Sequence, residues 1–189
     1  MLMTVYIRRK LQLALLCLLA AAVSPVPASA AGPMSDPLPD PLSLSAQWLN
    51  SQPLHNDNLR GKVVLVEFWS YGCINCLHTL PHMQAWAEKY RGEGLLVIGV
   101  HTPEFGYQKD RDNVVRAVRA LGITYPVVMD NQYEIWNAYA NNYWPALYLM
   151  DAQGRQRYRH IGEGAYPEIE NMIRALLVEA QPGASSSRQ

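Results

Sequence analysis

Residues 62–69 read KVVLVEFW, a run that is apolar at odd and even positions alike and is interrupted only by Glu67. Such a strand has no solvated face. It belongs inside a sheet covered on both sides, as in folds built from a parallel sheet between layers of helix. SYGCINC follows at once, placing Cys73 and Cys76 two residues apart where the strand stops and a helix begins. An acceptable fold must therefore hold a buried strand, a tight turn and a cysteine pair at a helix N-terminus.

The rest of the chain supplies the layers. The pattern predicts a helix over 73–91, interrupted at Pro81, and a second buried strand over 94–101 (GLLVIGVH). A helix over 107–121 follows, with Val114, Val115, Val118 and Leu121 on one stripe and Gly122 as its stop. A strand over 126–129, a short helix over 132–140 and a hairpin of strands 146–150 and 155–161 come next. A helix over 167–179 closes the domain. Trp86 and Trp136 fall at core positions. Residues 44–50 predict a short amphipathic turn of helix, and folded structure is expected over 43–180. Strands alternating with helices call for an α/β fold with helices on both faces of the sheet.

The ends read differently. Arg8, Arg9 and Lys10 precede an uncharged run at 11–23, two prolines and Ala28-Ser29-Ala30. This is the layout of a secretory signal cut near Ala30, so residues 1–30 are expected to be an address rather than structure. A membrane anchor retained at the N-terminus is the alternative. Residues 31–42 carry four prolines and predict an extended tether, and 181–189 a disordered tail. Without the first segment, 13 basic residues face 16 acidic ones, a net charge of about −3. That surface offers no basic footprint for nucleic acid. Loss of Cys17 would leave Cys73 and Cys76 alone, in a compartment where disulfides persist. Two cysteines this close cannot staple a domain.

Zinc is a poor use of the pair. At about 100° per helical residue, His78 and His82 lie about 140° and 180° around from Cys73, so they point away from the thiols. No second CxxC completes a structural site, and no metal is expected. Electron transfer suits the position better. Backbone N–H groups and the helix dipole favour a thiolate at the first cysteine. Cys73 is then the nucleophile and Cys76 the resolving thiol. Gly72 allows the turn, and Trp69 and Tyr71 wall the site.

Glu67 lies in the strand leading to the pair, where a buried carboxyl could take the proton of the resolving thiol. The alternative is an ion pair at a sheet end. Trp144-Pro145 stands before a buried strand, a natural place for a cis bond that presents a backbone edge to an extended substrate. Tyr143 and Trp144 either line a groove for that substrate or belong to a satellite core. His101 and Glu104, at a strand's C-terminal end, either tune the thiols or cap the following helix.

Trp69-x-x-x-Cys73-x-x-Cys76, Pro81 five residues on, Glu67 six residues before Cys73, and Pro145 together resemble the thioredoxin fold: a central mixed sheet with helices on both faces. The strand and helix between Gly94 and Gly122 resemble the insert of the TlpA-like branch after its CxxC helix. WSYGCINC, GLLVIGVHTPEF, YPVVMDN and YWPALYLMDAQG are similar to the thioredoxin-like domain of DipZ-type proteins, over about Trp48 to Leu177. The resemblance implies an extracytoplasmic thiol–disulfide oxidoreductase, a monomeric reductant that works by mixed disulfide and serves misoxidised proteins or cytochrome c maturation. It implies a CcdA- or DsbD-type membrane donor and no cofactor beyond a redox-active Cys73–Cys76 disulfide. It assigns catalysis to Cys73, Cys76 and Glu67, and substrate contact to Pro145, with Trp144, Tyr71 and Trp69 beside it. Ile74-Asn75 replaces the Gly-Pro of thioredoxin, so no potential transfers. Two other readings remain. A peroxiredoxin-type thiol peroxidase lacks its Pro-x-x-x-Thr-x-x-Cys here. A copper-binding or adaptor module would use His101 as the third ligand.

Overall fold

The computed structural model describes residues 41–45 and 47–181. The expected signal (1–30), most of the expected tether and the tail beyond 181 lie outside the described residues. Six strands form one mixed sheet in the order β1-β4-β3-β2-β5-β6. They are β1 (Trp48–Leu49), β2 (Val63–Trp69), β3 (Leu95–His101), β4 (Val127–Met129), β5 (Ala146–Met150) and β6 (Gln156–Ile161). The helices are α1 (Asn56–Leu59), α2 (Ile74–Lys89), α3 (Arg111–Ala120), α4 (Glu134–Ala138) and α5 (Tyr166–Ala180).

All seven residues of β2 are buried, as its two-sided apolar pattern requires. β2 pairs parallel with β3 and antiparallel with β5, so it is the sheet's spine. Alternation then sorts its side chains. Val63, Leu65 and Trp69 join α2, α3 and α5 in one core, through Cys76, Leu80, Met83, Trp86, Val114, Ile169 and Ile173. Val64, Val66 and Phe68 join Ile98, Val100, Ile135 and Trp136 in the other. Phe68 meets Trp136, Tyr139 and Tyr148 edge-on at 5.3–5.7 Å. Trp86 and Trp136 are buried, as their spacing predicts.

Four local expectations are corrected. Residues 44–50 do not form a helical turn. A 3₁₀ helix over Pro41–Leu44 leads into β1, which pairs with β4 through Trp48 and Val128. Backbone pairing at the sheet edge and burial of Trp48 and Leu49 override the short helical pattern. Leu42, expected in the tether, is 1% exposed in the second core, so the fold begins before residue 43. The predicted helix 107–121 divides at Asp110. Residues Gly106–Lys109 form a 3₁₀ turn that sends Gln108 inward, and Asp110 caps α3 by accepting from the Asn113 N–H at 2.9 Å. Pro81, expected to interrupt a helix, sits within a continuous α2. Pro81 lies on the exposed face of the helix.

Candidate active site

β2 ends at Trp69, and the chain turns through Ser70-Tyr71-Gly72 into α2. Cys73 is the N-cap of α2, and its sulfur accepts from the Cys76 N–H at 3.2 Å. The two cysteines form a disulfide, with Cα atoms 5.3 Å apart. No acidic residue occupies the first turn of this 16-residue helix, so nothing opposes its positive end. Cys73 is half-buried, whereas Cys76 is 1% exposed and faces the core. An incoming group reaches Cys73 first.

Glu67 lies on the same face of β2 as Leu65 and Trp69, the face that α2 covers with Cys76. It is 1% exposed, and its Oε1 has no hydrogen-bond partner. Burial pushes its pKa up to about 8, against a smaller downward pull from the Tyr125 phenol. Among the described residues no ion pair includes Glu67, so the sheet-end salt bridge is not formed there. Directly across the ladder stands Gly99. A Cβ there would lie 2.9 Å from Trp69 Nε1 and 3.2 Å from the Tyr125 ring. The glycine thus lets Trp69 and Tyr125 close over the carboxyl. A lone glycine in an apolar strand is the sequence signal for such an approach.

His101 ends β3, pairs with Trp69 across the ladder and is fully buried. Its ring stacks on Tyr71 at 5.4 Å and meets Trp69 edge-on at 5.3 Å. Neither ring nitrogen has a partner, and burial lowers its pKa to about 4, so the imidazole is neutral. It does not cap α3; Asp110 does. Glu104 is exposed, and only its backbone N–H is engaged here, donating to Gln108 Oε1 at 2.6 Å. His78 and His82 point away from the cysteines. His78 pairs with Glu163 at 2.8 Å and His82 stacks on Tyr166 at 3.6 Å. Among the described residues no group of three or more His, Cys, Asp or Glu is placed to hold a metal.

The Trp144–Pro145 bond is cis. Pro145 is buried, Trp144 is half-buried against Trp136 at 4.1 Å, and its indole N–H donates to the Thr102 carbonyl. Trp144 is therefore partly core, and Tyr143, 60% exposed, is the open side chain of that loop. Tyr71 is half-buried beside the pair, but Trp69 is 2% exposed. Trp69 is a floor under the site and presents nothing to a substrate, because the β2 ladder and α2 enclose it. Gln108 and Tyr125 were not signalled by any motif. Gly72 has a different use from the one its turn suggests: a Cβ there would lie 2.5 Å from Gln108 Nε2.

Comparisons with known proteins agree with this geometry. The AhpC/TSA family matches residues 35–159. "Protein DipZ" of Mycobacterium tuberculosis is 48% identical over 139 residues, covering 72% of this chain. The chain spans only 20% of that relative's length. "Thiol-disulfide oxidoreductase YkuV" of Bacillus subtilis is 26% identical, and the match covers 78% of this chain and 99% of that one. The crystal structure of a thiol-disulfide isomerase from Corynebacterium glutamicum superposes with a TM-score of 0.65 at 26% identity, over 70% of this chain and 92% of that one.

Proposed function

The chain belongs to the AhpC/TSA family, in its thioredoxin-like, TlpA-like branch, and on that premise we propose a thiol–disulfide oxidoreductase that cycles the Cys73–Cys76 pair. One observation carries the reading. A disulfide sits at the N-cap of α2 with one sulfur reachable and the other buried on the face that holds Glu67.

In the reducing direction Cys73 thiolate attacks a partner disulfide. One partner sulfur leaves as thiolate, and the other stays bonded to Cys73. Cys76 then loses its proton and attacks the Cys73 sulfur. The mixed disulfide breaks, the second partner sulfur leaves with the bonding electrons, and the intramolecular disulfide forms. Two electrons have passed to the partner. Glu67, held near a pKa of about 8, is mostly protonated at neutral pH, and its carboxylate fraction, matched to a thiol in pKa, is the acceptor for the Cys76 proton. The protein is its own redox group and uses no further cofactor.

We assign the activity to the periplasm or its equivalent, on the reading of residues 1–30 as a secretory signal, which an N-terminal anchor would also serve. A CcdA- or DsbD-type membrane donor would then supply electrons. Misoxidised proteins or apocytochrome c would receive them. Exposed Ile74 beside Cys73 and exposed Tyr107 beside Tyr71 suit protein partners. Pro145, Trp144 and Tyr71 form the wall against which the partner's chain would lie.

The test is equilibrium of the pair against a glutathione or dithiothreitol series. A reversible two-electron couple near roughly −270 mV fits a reductant, whereas one near −120 mV would reverse the direction of flow. Absence of any couple overturns the assignment. The roles of the two cysteines are separable by trapping. Cys76→Ser should accumulate long-lived mixed disulfides and Cys73→Ser should not. Equal trapping would show that the roles are wrongly assigned.

A further inference from the structure

The segment between β3 and α3 contributes one side chain that reaches back to the redox turn. Gln108 is fully buried although its neighbours Phe105, Gly106 and Tyr107 are exposed. Its Oε1 accepts from Ser70 Oγ at 3.0 Å, from the Glu104 N–H at 2.6 Å and from the Phe105 N–H at 3.2 Å. Three donors on one oxygen fix which end of the amide is which. Ser70 Oγ in turn accepts from the Gly72 N–H at 3.2 Å, and the Ser70 carbonyl accepts from the Cys73 N–H at 3.1 Å. The amide nitrogen of Gln108 lies against Gly72, where only a glycine leaves room. A second tie runs beside it, from the Tyr71 hydroxyl to the Tyr107 carbonyl at 3.4 Å.

We propose that Gln108 is a positioning residue for disulfide exchange: through Ser70 and Gly72 it braces the turn that presents Cys73 at the N-cap of α2. The inference rests on the oxidoreductase reading. From the insert side, buried His101 stacks on Tyr71, but among the described residues Gln108 is the buried insert side chain that hydrogen-bonds into the turn. Without the brace, Ser70 and Gly72 move, and Cys73 drifts from the N–H groups that stabilise its thiolate. The insert after the CxxC helix is then part of the redox machinery, and the stacked Phe105–Tyr107 pair, 5.7 Å apart, is carried on the same brace. The chemistry of the pair, the reachable sulfur and the proton acceptor are unchanged by the proposal.

The experiment uses the full chain, reduced, and reads the pH profile of Cys73 alkylation by iodoacetamide together with the rate of exchange with oxidised glutathione. Gln108→Met keeps the side-chain volume and removes the acceptor. It should raise the apparent pKa of Cys73 by about half a unit or more and slow exchange at neutral pH about three- to tenfold. Gly72→Ala should act in the same direction by displacing Gln108. In the double variant Gly72→Ala/Gln108→Ala the new methyl occupies the space the amide left. Its loss should therefore be no larger than that of Gln108→Ala alone. A Gln108→Met protein whose alkylation profile and exchange rate match wild type overturns the proposal, as do strictly additive losses in the cycle. A wild-type chain with no reversible couple would instead bring down the oxidoreductase reading itself. Should Gln108→Ala fail to fold, the volume-keeping Met variant decides alone.

Discussion

At Glu67 the sheet buries a carboxyl where Leu65 and Trp69 would predict another apolar side chain. Desolvation keeps it protonated well above the usual carboxylate range, to about 8, and the Tyr125 phenol moderates the effect. A value that close to a thiol's own lets the carboxylate fraction accept a thiol proton near neutral pH and return it without a large barrier. Glu67→Gln cannot, so resolution of a preformed Cys73 mixed disulfide should slow about 100-fold at pH 7 while the first attack by Cys73 is little changed. Single-turnover kinetics with a chromogenic partner separate the two steps, and an unaffected resolution rate would remove Glu67 from the mechanism. Tyr125→Phe takes away the downward pull, so the pH profile of resolution should shift upward, toward alkaline pH. A shift downward would place Tyr125 in another role. The sequence makes Glu67 conspicuous because a charge inside KVVLVEFW has no trivial explanation. Tyr125 gives no such signal, since its place over the carboxyl depends on a pairing between β3 and β4 that only the folded sheet creates.

Among the elements, β2, β3 and β5 were readable because their patterns are long and two-sided. All but one of their residues are buried, and their predicted ends fall within a residue of the observed ones. β1 was not readable: two residues carry no periodicity, and only the partner strand β4 makes them a strand. The division of the 107–121 segment was hidden for a related reason. Gln108 turns inward to satisfy two local backbone N–H groups and Ser70, a residue 38 positions earlier in the chain. The cysteine pair and its helix junction were fully legible, whereas the brace and the floor of the site were not. Gly99 tests how tightly that floor is packed. Gly99→Ala places a methyl 2.9 Å from Trp69 Nε1 and 3.2 Å from the Tyr125 ring, inside β3 and opposite Glu67. Neither ring can withdraw, because both are buried against α2 and the rest of the first core. The substitution should cost about 1–3 kcal/mol in urea unfolding. A neutral or stabilising result would show that the two rings have room to move.

For the whole molecule, Glu67 and His101 set opposing pH dependences on the same face of the sheet. Glu67 is raised from 4.5 to about 8 in the fold, so the native state holds a proton that the unfolded chain releases. Its contribution is fully present below about pH 4.5 and is lost as pH rises to about 8, amounting to about 5 kcal/mol at about 1.4 kcal/mol per unit. Burial at Asp130 acts in the same direction. His101 is lowered from 6.5 to about 4, so the unfolded chain takes up a proton that the native state refuses. Its contribution is fully present above about pH 6.5 and is lost as pH falls to about 4, about 3 kcal/mol in all. Between pH 4.5 and 6.5 the two slopes cancel; above 6.5 only the Glu67 slope remains. The disulfide form should therefore show a flat stability plateau near pH 5–6 and a decline toward pH 8 in denaturant titrations. Glu67→Gln should abolish the alkaline decline and leave stability rising from pH 4.5 to 6.5 through His101. His101→Phe should do the reverse, so that stability falls steadily from pH 4.5 to 8. Were the wild-type curve to rise between pH 6.5 and 8, the raised pKa that matches Glu67 to a thiol would be excluded.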